Sequence, residues 1–295
     1  MKIVIASSGH KEFLSPKESS EIIANAISHK KIDLQILPIS DGGDGFIDIL
    51  VNHYKGITKK ISIYDPLSRK RLGKIGLIHN NETAVIEIAE AAGSALLKNH
   101  ERQTMIATSY GVGELIKKSY DFGCRNFYIG LGGSIVSDCG IGLAQALGIE
   151  FFDKNNRILK PILGVGFNAL SLNLIYSFST EKIKIDLNKV KIKVASDSDV
   201  FLTGKKGQAI TFGPQKGCNE TEIFYLDQGY KNISKILNEK KKINVDVPYS
   251  GAAGGMGAAL LGFLNAELIP GAKFISDQIN FENKKLNSDI LIVSE

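Results

Sequence analysis

The chain has 295 residues, 43% hydrophobic and 23% charged, the balance of an ordinary globular protein with ample apolar material for a core. Its longest apolar stretch, Ala258 to Leu264, falls far short of the roughly 20 residues that cross a bilayer, and its start lacks the apolar centre of a secretory signal, so a cytoplasmic protein is expected. The net charge of +5 comes from lysine, with five scattered arginines, and the three cysteines lack CxxC spacing; nucleic-acid binding, a disulfide framework and a zinc site are all disfavoured.

Residues 2–6 form a β-branched apolar strand. Ser15-Pro16 with Glu18 marks the start of a helix running through Ile22, Ile23 and Ile27, and Leu34 to Ile39 reads as the next strand. Asp41-Gly-Gly-Asp-Gly45 breaks the pattern and Phe46 restarts a helix, a β-α-β-α order that points to a parallel sheet. The texture changes after Gly56, and a domain boundary is expected near Tyr64. Ile57 to Tyr64 alternates, Asp65-Pro66-Leu67 turns, and Ile75 to His79 and Ala84 to Ile88 read as strands. A helix from Thr108 to Tyr120 leads to the apolar strand Asn126 to Leu131, then a glycine loop and a helix from Gly140 to Leu147. Lys189 to Ala195 alternates as a strand, Tyr225 to Leu237 and Gly257 to Leu264 read as helices, and Leu286 to Val293 begins a last strand.

The thirty glycines are clustered. Glycine lets backbone N–H groups converge, and such a loop opening a helix favours an anion. Ile129-Gly-Leu-Gly-Gly-Ser134 directly follows an apolar strand, with Asp138 close behind. It reads either as a phosphate cradle with a magnesium ligand or as a tight strand-to-helix turn. Ser250-Gly-Ala-Ala-Gly-Gly-Met-Gly257 reads as a second nest or, more simply, as close helix packing. Asp41 to Gly45 combines two carboxylates with glycines at a strand's end, and Phe212-Gly-Pro-Gln-Lys-Gly217 holds Lys216 between glycines. Asp197 and Asp199 follow the strand ending at Ala195, where carboxylates can hold Mg²⁺ or take a proton from a hydroxyl. There is no GxxxxGK[ST] loop. Gly164-Val-Gly-Phe-Asn-Ala169 satisfies GxGxxA, but Lys160-Pro161 stands where its strand would have to be. Amide nests, lysines and carboxylates are together what phosphoryl transfer requires.

In order, Lys2-Ile-Val-Ile-Ala, Ser40-Asp-Gly-Gly-Asp-Gly, Asp65-Pro66-Leu67, Thr108-Ser-Tyr-Gly-Val-Gly-Glu-Leu, Gly130-Leu-Gly-Gly-Ser, Phe212-Gly-Pro-Gln-Lys-Gly and Gly251-Ala-Ala-Gly-Gly-Met-Gly resemble the type I glycerate kinases over the whole chain. The resemblance implies two α/β domains with the site between them. One is Rossmann-like with a parallel sheet, built from residues 1–64 and 284–295; the other is a larger mixed α/β domain of residues 65–283. It implies transfer of the ATP γ-phosphoryl group to D-glycerate with Mg²⁺, giving 2-phosphoglycerate rather than 3-phosphoglycerate. On this reading Gly132, Gly133, Ser134, Gly254 and Gly255 hold phosphate and Lys216 neutralises it. Asp138 and Asp197 are the magnesium or base carboxylates, and Lys11 and Asp41 lie near the glycerate. Three features depart from the family. Its Asp-Ser-Phe/Tyr-Lys loop reads Ser8-Gly9-His10-Lys11, its Asp-x-Asn-Pro-Leu reads Asp199-Val-Phe-Leu in part, and its Gly-Glu-Gly-Arg segment would begin about where Glu295 stands. A shortened member is therefore expected, with a chain that at most binds nucleotide or a partner as the alternative.

Overall fold

In the computed structural model, which describes residues 1–9, 13–28 and 32–294, strand and helix alternate from the start. β1 (Lys2–Ser7) is followed by α1 (Pro16–Ile27), whose beginning is set by Ser15. The Ser15 hydroxyl accepts the Glu18 N–H, the Glu18 carboxylate accepts the Ser15 N–H, and Pro16 takes the first helical position. Next come β2 (Asp33–Ile36), α2 (Phe46–His53), β3 (Ile57–Tyr64), β4 (Lys70–Ile78), β5 (Thr83–Glu87), α3 (Ala89–Ala92), α4 (Tyr110–Asp121), β6 (Asn126–Leu131) and α5 (Ile141–Ala146). The rest comprises β7 (Glu150–Phe152), β8 (Ser177–Ser179), β9 (Lys191–Ser196), α6 (Gln208–Phe212), α7 (Glu220–Lys241), α8 (Ala252–Leu264), β10 (Glu267–Pro270), α9 (Gly271–Ile279), α10 (Phe281–Leu286) and β11 (Ile290–Ser294).

Two parallel-rich sheets carry the fold. The smaller has the order β11-β1-β2, all parallel. The larger has the order β10-β9-β6-β5-β4-β3; its first four strands run parallel, and β4 and β3 turn back antiparallel at one edge. β7 and β8 form a separate antiparallel pair. β5 is buried along its whole length and β6 over most of its own, which is why these two segments read as nearly continuous apolar runs, whereas β9 alternates at its start and is buried from Val194 to Ser196. The main core gathers residues of these strands with α4, α5, α7 and α8. A second cluster joins Val4 and Leu37 of the smaller sheet's side to α2, Ala195 and Phe274. The two sheets thus share packed apolar surface through α2 and α9. Among the described residues no helix is long and apolar enough to cross a membrane.

The division at Tyr64 needs correction. β3 pairs with β4 from Ile57 to Tyr64, so residues 57–64 belong to the larger sheet. Asp65-Pro66-Leu67 is the hairpin turn joining the two strands and not a domain link: Asp65 Oδ1 accepts the N–H groups of Leu67 and Arg69, both at 2.9 Å. Among the described residues the smaller sheet therefore draws on 2–7, 33–36 and 290–294.

Candidate active site

β5, β6, β9 and β10 end at one edge of the larger sheet. Glu87 stands opposite Gly130, Leu131 opposite Ser196, and Ser196 opposite Pro270. In open α/β sheets ligands bind outside this carboxyl edge. Here the 40–45 loop crosses over it. A Cβ on Gly130 would stand 2.3 Å from the Gly42 carbonyl oxygen and one on Gly132 2.5 Å from Gly43 Cα, so two backbones touch where only glycine fits. Within the loop, Asp41 Oδ1 accepts the Gly43 N–H at 2.8 Å and Ser40 Oγ accepts the Gly42 N–H at 3.3 Å. Asp41 and Asp44 thereby stand over the glycine turn that follows β6.

That turn is pinned from its other side. The Ser94 N–H donates to Gly133 O at 2.8 Å and the Ile135 N–H to Ala92 O at 2.9 Å. Lys216, from the short turn after α6, reaches the same place: its Nζ donates to Ser134 Oγ at 3.3 Å and to Val136 O at 2.6 Å. Neither acceptor carries charge. Burial lowers the Lys216 pKa to about 8, against smaller opposing attraction to Cys218 and Asp138. Asp197 directly follows Ser196, the residue paired with Leu131, so it leaves β9 beside the start of the glycine turn. Ser134, Lys216, Asp197 and the Asp41 loop are thus gathered at one edge of one sheet.

A family model described as the glycerate kinase family matches residues 3–295. The chain belongs to the glycerate kinase family. Among similar proteins, the glycerate 2-kinase of Escherichia coli K12 is 35% identical over 298 residues, covering all of this chain and 77% of the relative. The glycerate kinase of Bacillus subtilis 168 is 34% identical with 100% and 76% covered. A crystal structure from Salmonella typhimurium LT2, described as a candidate glycerate kinase 2, superposes with a TM-score of 0.85 at 31% identity, covering 99% of this chain and 79% of that one. The protein is therefore a kinase, and its two-part α/β architecture is that of its family.

Two assignments change in this glycerate kinase family member. Asp138, expected at a metal, is fully buried, and both its oxygens are occupied by protein donors. The Ser109 N–H and hydroxyl donate at 2.8 and 2.7 Å, and the Gly140 and Gly142 N–H groups at 3.0 and 3.3 Å. Burial raises its pKa in spite of these bonds. Its work is to clamp the start of α4 to the start of α5. Gly254 and Gly255, expected at phosphate, form with Ala253 a left-handed turn at φ 53°, 72° and 86°. They are buried against residues 136–139: a Cβ on Gly254 would stand 2.0 Å from Val136 O, and Gly254 O accepts the Cys139 N–H at 2.9 Å. The simpler of the two readings, close packing, describes them. Lys11 lies outside the described residues.

Glu87 was not among the expected site residues. It ends β5, is buried, and accepts the Ile47 N–H at 2.7 Å. A charged residue inside the apolar run from Ala84 to Ile88 is the signal that marks it.

Proposed function

We propose that this chain transfers the γ-phosphoryl group of ATP to the 2-hydroxyl of D-glycerate, releasing ADP and 2-phosphoglycerate. The observation that carries this reading is the meeting of Lys216 Nζ with Ser134 Oγ on the glycine turn, at the edge where the Asp41 loop closes over it. A half-buried ammonium whose two hydrogen-bond partners are neutral is short of a counter-charge, and a phosphate lying on the turn supplies one. The backbone N–H groups of Gly132 and Gly133 and the hydroxyl of Ser134 are the neutral donors, and Lys216 is the charged one. The naming of the Escherichia coli relative as a glycerate 2-kinase supports the 2-hydroxyl as acceptor.

In the transfer the acceptor oxygen bonds to the γ-phosphorus, the bond from phosphorus to the bridging oxygen breaks, and ADP leaves. The hydroxyl proton passes to a carboxylate. Asp197 is assigned this role, since it emerges beside the turn at the end of a central strand. Asp41, on the loop above, and Lys11 are assigned to the glycerate. Mg²⁺ is commonly held by one or two carboxylates together with phosphate oxygens and water. Asp197 is assigned to the ion together with the phosphate oxygens; Asp138, fully buried with four protein donors on its carboxylate, is not. Bound there, the ion would neutralise charge on the transferring phosphoryl group. Such ATP-dependent chemistry, and cysteines that are all free, fit a cytoplasmic setting.

The test is ADP release by the purified chain with ATP, Mg²⁺ and D-glycerate, with the product identified by phosphorus NMR. No release above that with ATP alone overturns the assignment, and a 3-phosphate product overturns the choice of hydroxyl.

A further inference from the structure

Glu87 takes no part in the transfer just described, yet its carboxyl is enclosed at 9% exposure on the last position of β5. Burying such a group without partners is strongly unfavourable. The partner here is an N–H in the first turn of α2, a position with no acceptor inside its own helix: Ile47 donates to Glu87 Oε1 at 2.7 Å. Gly45, the residue before the helix, has φ 83° and no side chain with which to cap it. The cap comes instead from across the sheet. Three other groups face Glu87: Lys74 on β4, Asp48 on α2 and Glu90 on α3. Lys74 Nζ hydrogen-bonds both Asp48 oxygens at 3.0 Å, and the Lys74 N–H donates to Glu90 at 3.0 Å, so the cluster ties α2 to β4 and β5 together.

We propose that Glu87 is a positioning residue for the 40–45 loop: by holding the first turn of α2 against β5, it fixes where Asp41 and Asp44 stand above the glycine turn. The inference rests on the reading of that loop as the place where the hydroxy acid binds. It separates Glu87 from a residue that merely stabilises the fold, because the loop serves one substrate and the Lys216 turn the other.

Glu87→Ala removes the acceptor, whereas Glu87→Gln keeps an oxygen that can receive the same N–H. For E87A the KM for D-glycerate rises about tenfold or more while that for ATP stays within about twofold, and amide exchange at Ile47 and its neighbours quickens about tenfold, the loss of one hydrogen bond. E87Q restores both. An unchanged glycerate KM, an equal rise for both substrates, unchanged exchange at Ile47, or an E87Q that behaves like E87A overturns the proposal. If the wild type does not phosphorylate D-glycerate, the function falls and the exchange measurement alone judges the anchor. If E87A does not fold, E87Q decides. Burial pushes the Glu87 pKa up to about 7, so the wild-type glycerate KM changes between pH 6 and 8 as the anchor ionises, and that of E87Q stays flat. Parallel profiles overturn the proposal.

Discussion

Replacing Lys216 with methionine tests the charge balance of the site, because the ammonium is held where the fold disfavours it. Burial lowers its pKa from 10.5 to about 8. Folded, the amine binds its proton more weakly than unfolded. Between pH 8 and 10.5 the unfolded chain therefore carries the extra proton, and stability rises with pH across that window. At about 1.4 kcal/mol per decade the rise amounts to at most about 3 kcal/mol, less whatever water reaches the half-buried side chain. Methionine occupies similar space without the charge, so the variant lacks the rise. It also leaves Ser134 Oγ and Val136 O without their donor, at a cost of about 1–3 kcal/mol. At pH 7 the two effects offset each other and the folds should be about equally stable. Catalysis does not share this balance: losing one charge-assisted bond to phosphate lowers kcat/KM for ATP by about 10- to 100-fold. In the wild type the same parameter falls about tenfold per pH unit above about 8, as the ammonium is lost. Urea denaturation from pH 7 to 10.5 and steady-state kinetics over the same range measure both. Parallel stability curves for wild type and variant refute the enclosed ammonium, and ATP kinetics that survive the substitution refute its role.

Other substitutions separate the remaining parts. Asp197→Ala should lower kcat in the ADP-release assay by about 10²- to 10⁴-fold, the usual worth of a proton acceptor; full turnover removes Asp197 from the chemistry. Gly132→Ala puts a methyl group 2.5 Å from Gly43 Cα, so the loop and the turn must part. The chain should stay folded by circular dichroism while activity drops about tenfold or more, as a displacement of about 1 Å can cause. Glu87→Gln tests the buried acid by stability. The wild-type carboxyl is raised from 4.5 to about 7, so its stabilising contribution is complete below pH 4.5 and is lost as pH rises through 7. The variant should gain up to about 3 kcal/mol over wild type at pH 8 and little at pH 4.5 in urea denaturation; equal gains at both pH values contradict the ionisation.

Features confined to one stretch of chain were legible in the sequence. The Ser15-Pro16-x-Glu18 pattern starts α1 where the two reciprocal hydrogen bonds form, and the apolar runs at 84–88 and 126–131 are the buried strands β5 and β6. The glycines at 130 and 132 were legible as a phosphate cradle or a tight turn, but not as the place where the Gly42–Gly43 backbone comes close. Features defined by a contact across the fold were hidden. Ile57 to Tyr64 alternates equally well whichever sheet it joins, and only its pairing with β4 decides. Asp138 and Asp197 look alike as acids near glycines. One is turned into the protein, where four N–H and O–H donors fill its oxygens, and the other leaves a strand at the sheet's open edge. The glycines of 254–255 are explained by the carbonyl of Val136 lying where a Cβ would be, a neighbour 118 positions away in the chain. Glu87 is the intermediate case. Its partner cannot be foreseen, but a carboxylate inside a buried strand is costly enough that some partner has to exist. A polar residue that violates the pattern of its own element therefore points to a tertiary contact. In this chain that contact lies between the strand that borders the glycine turn and the helix that carries the loop above it.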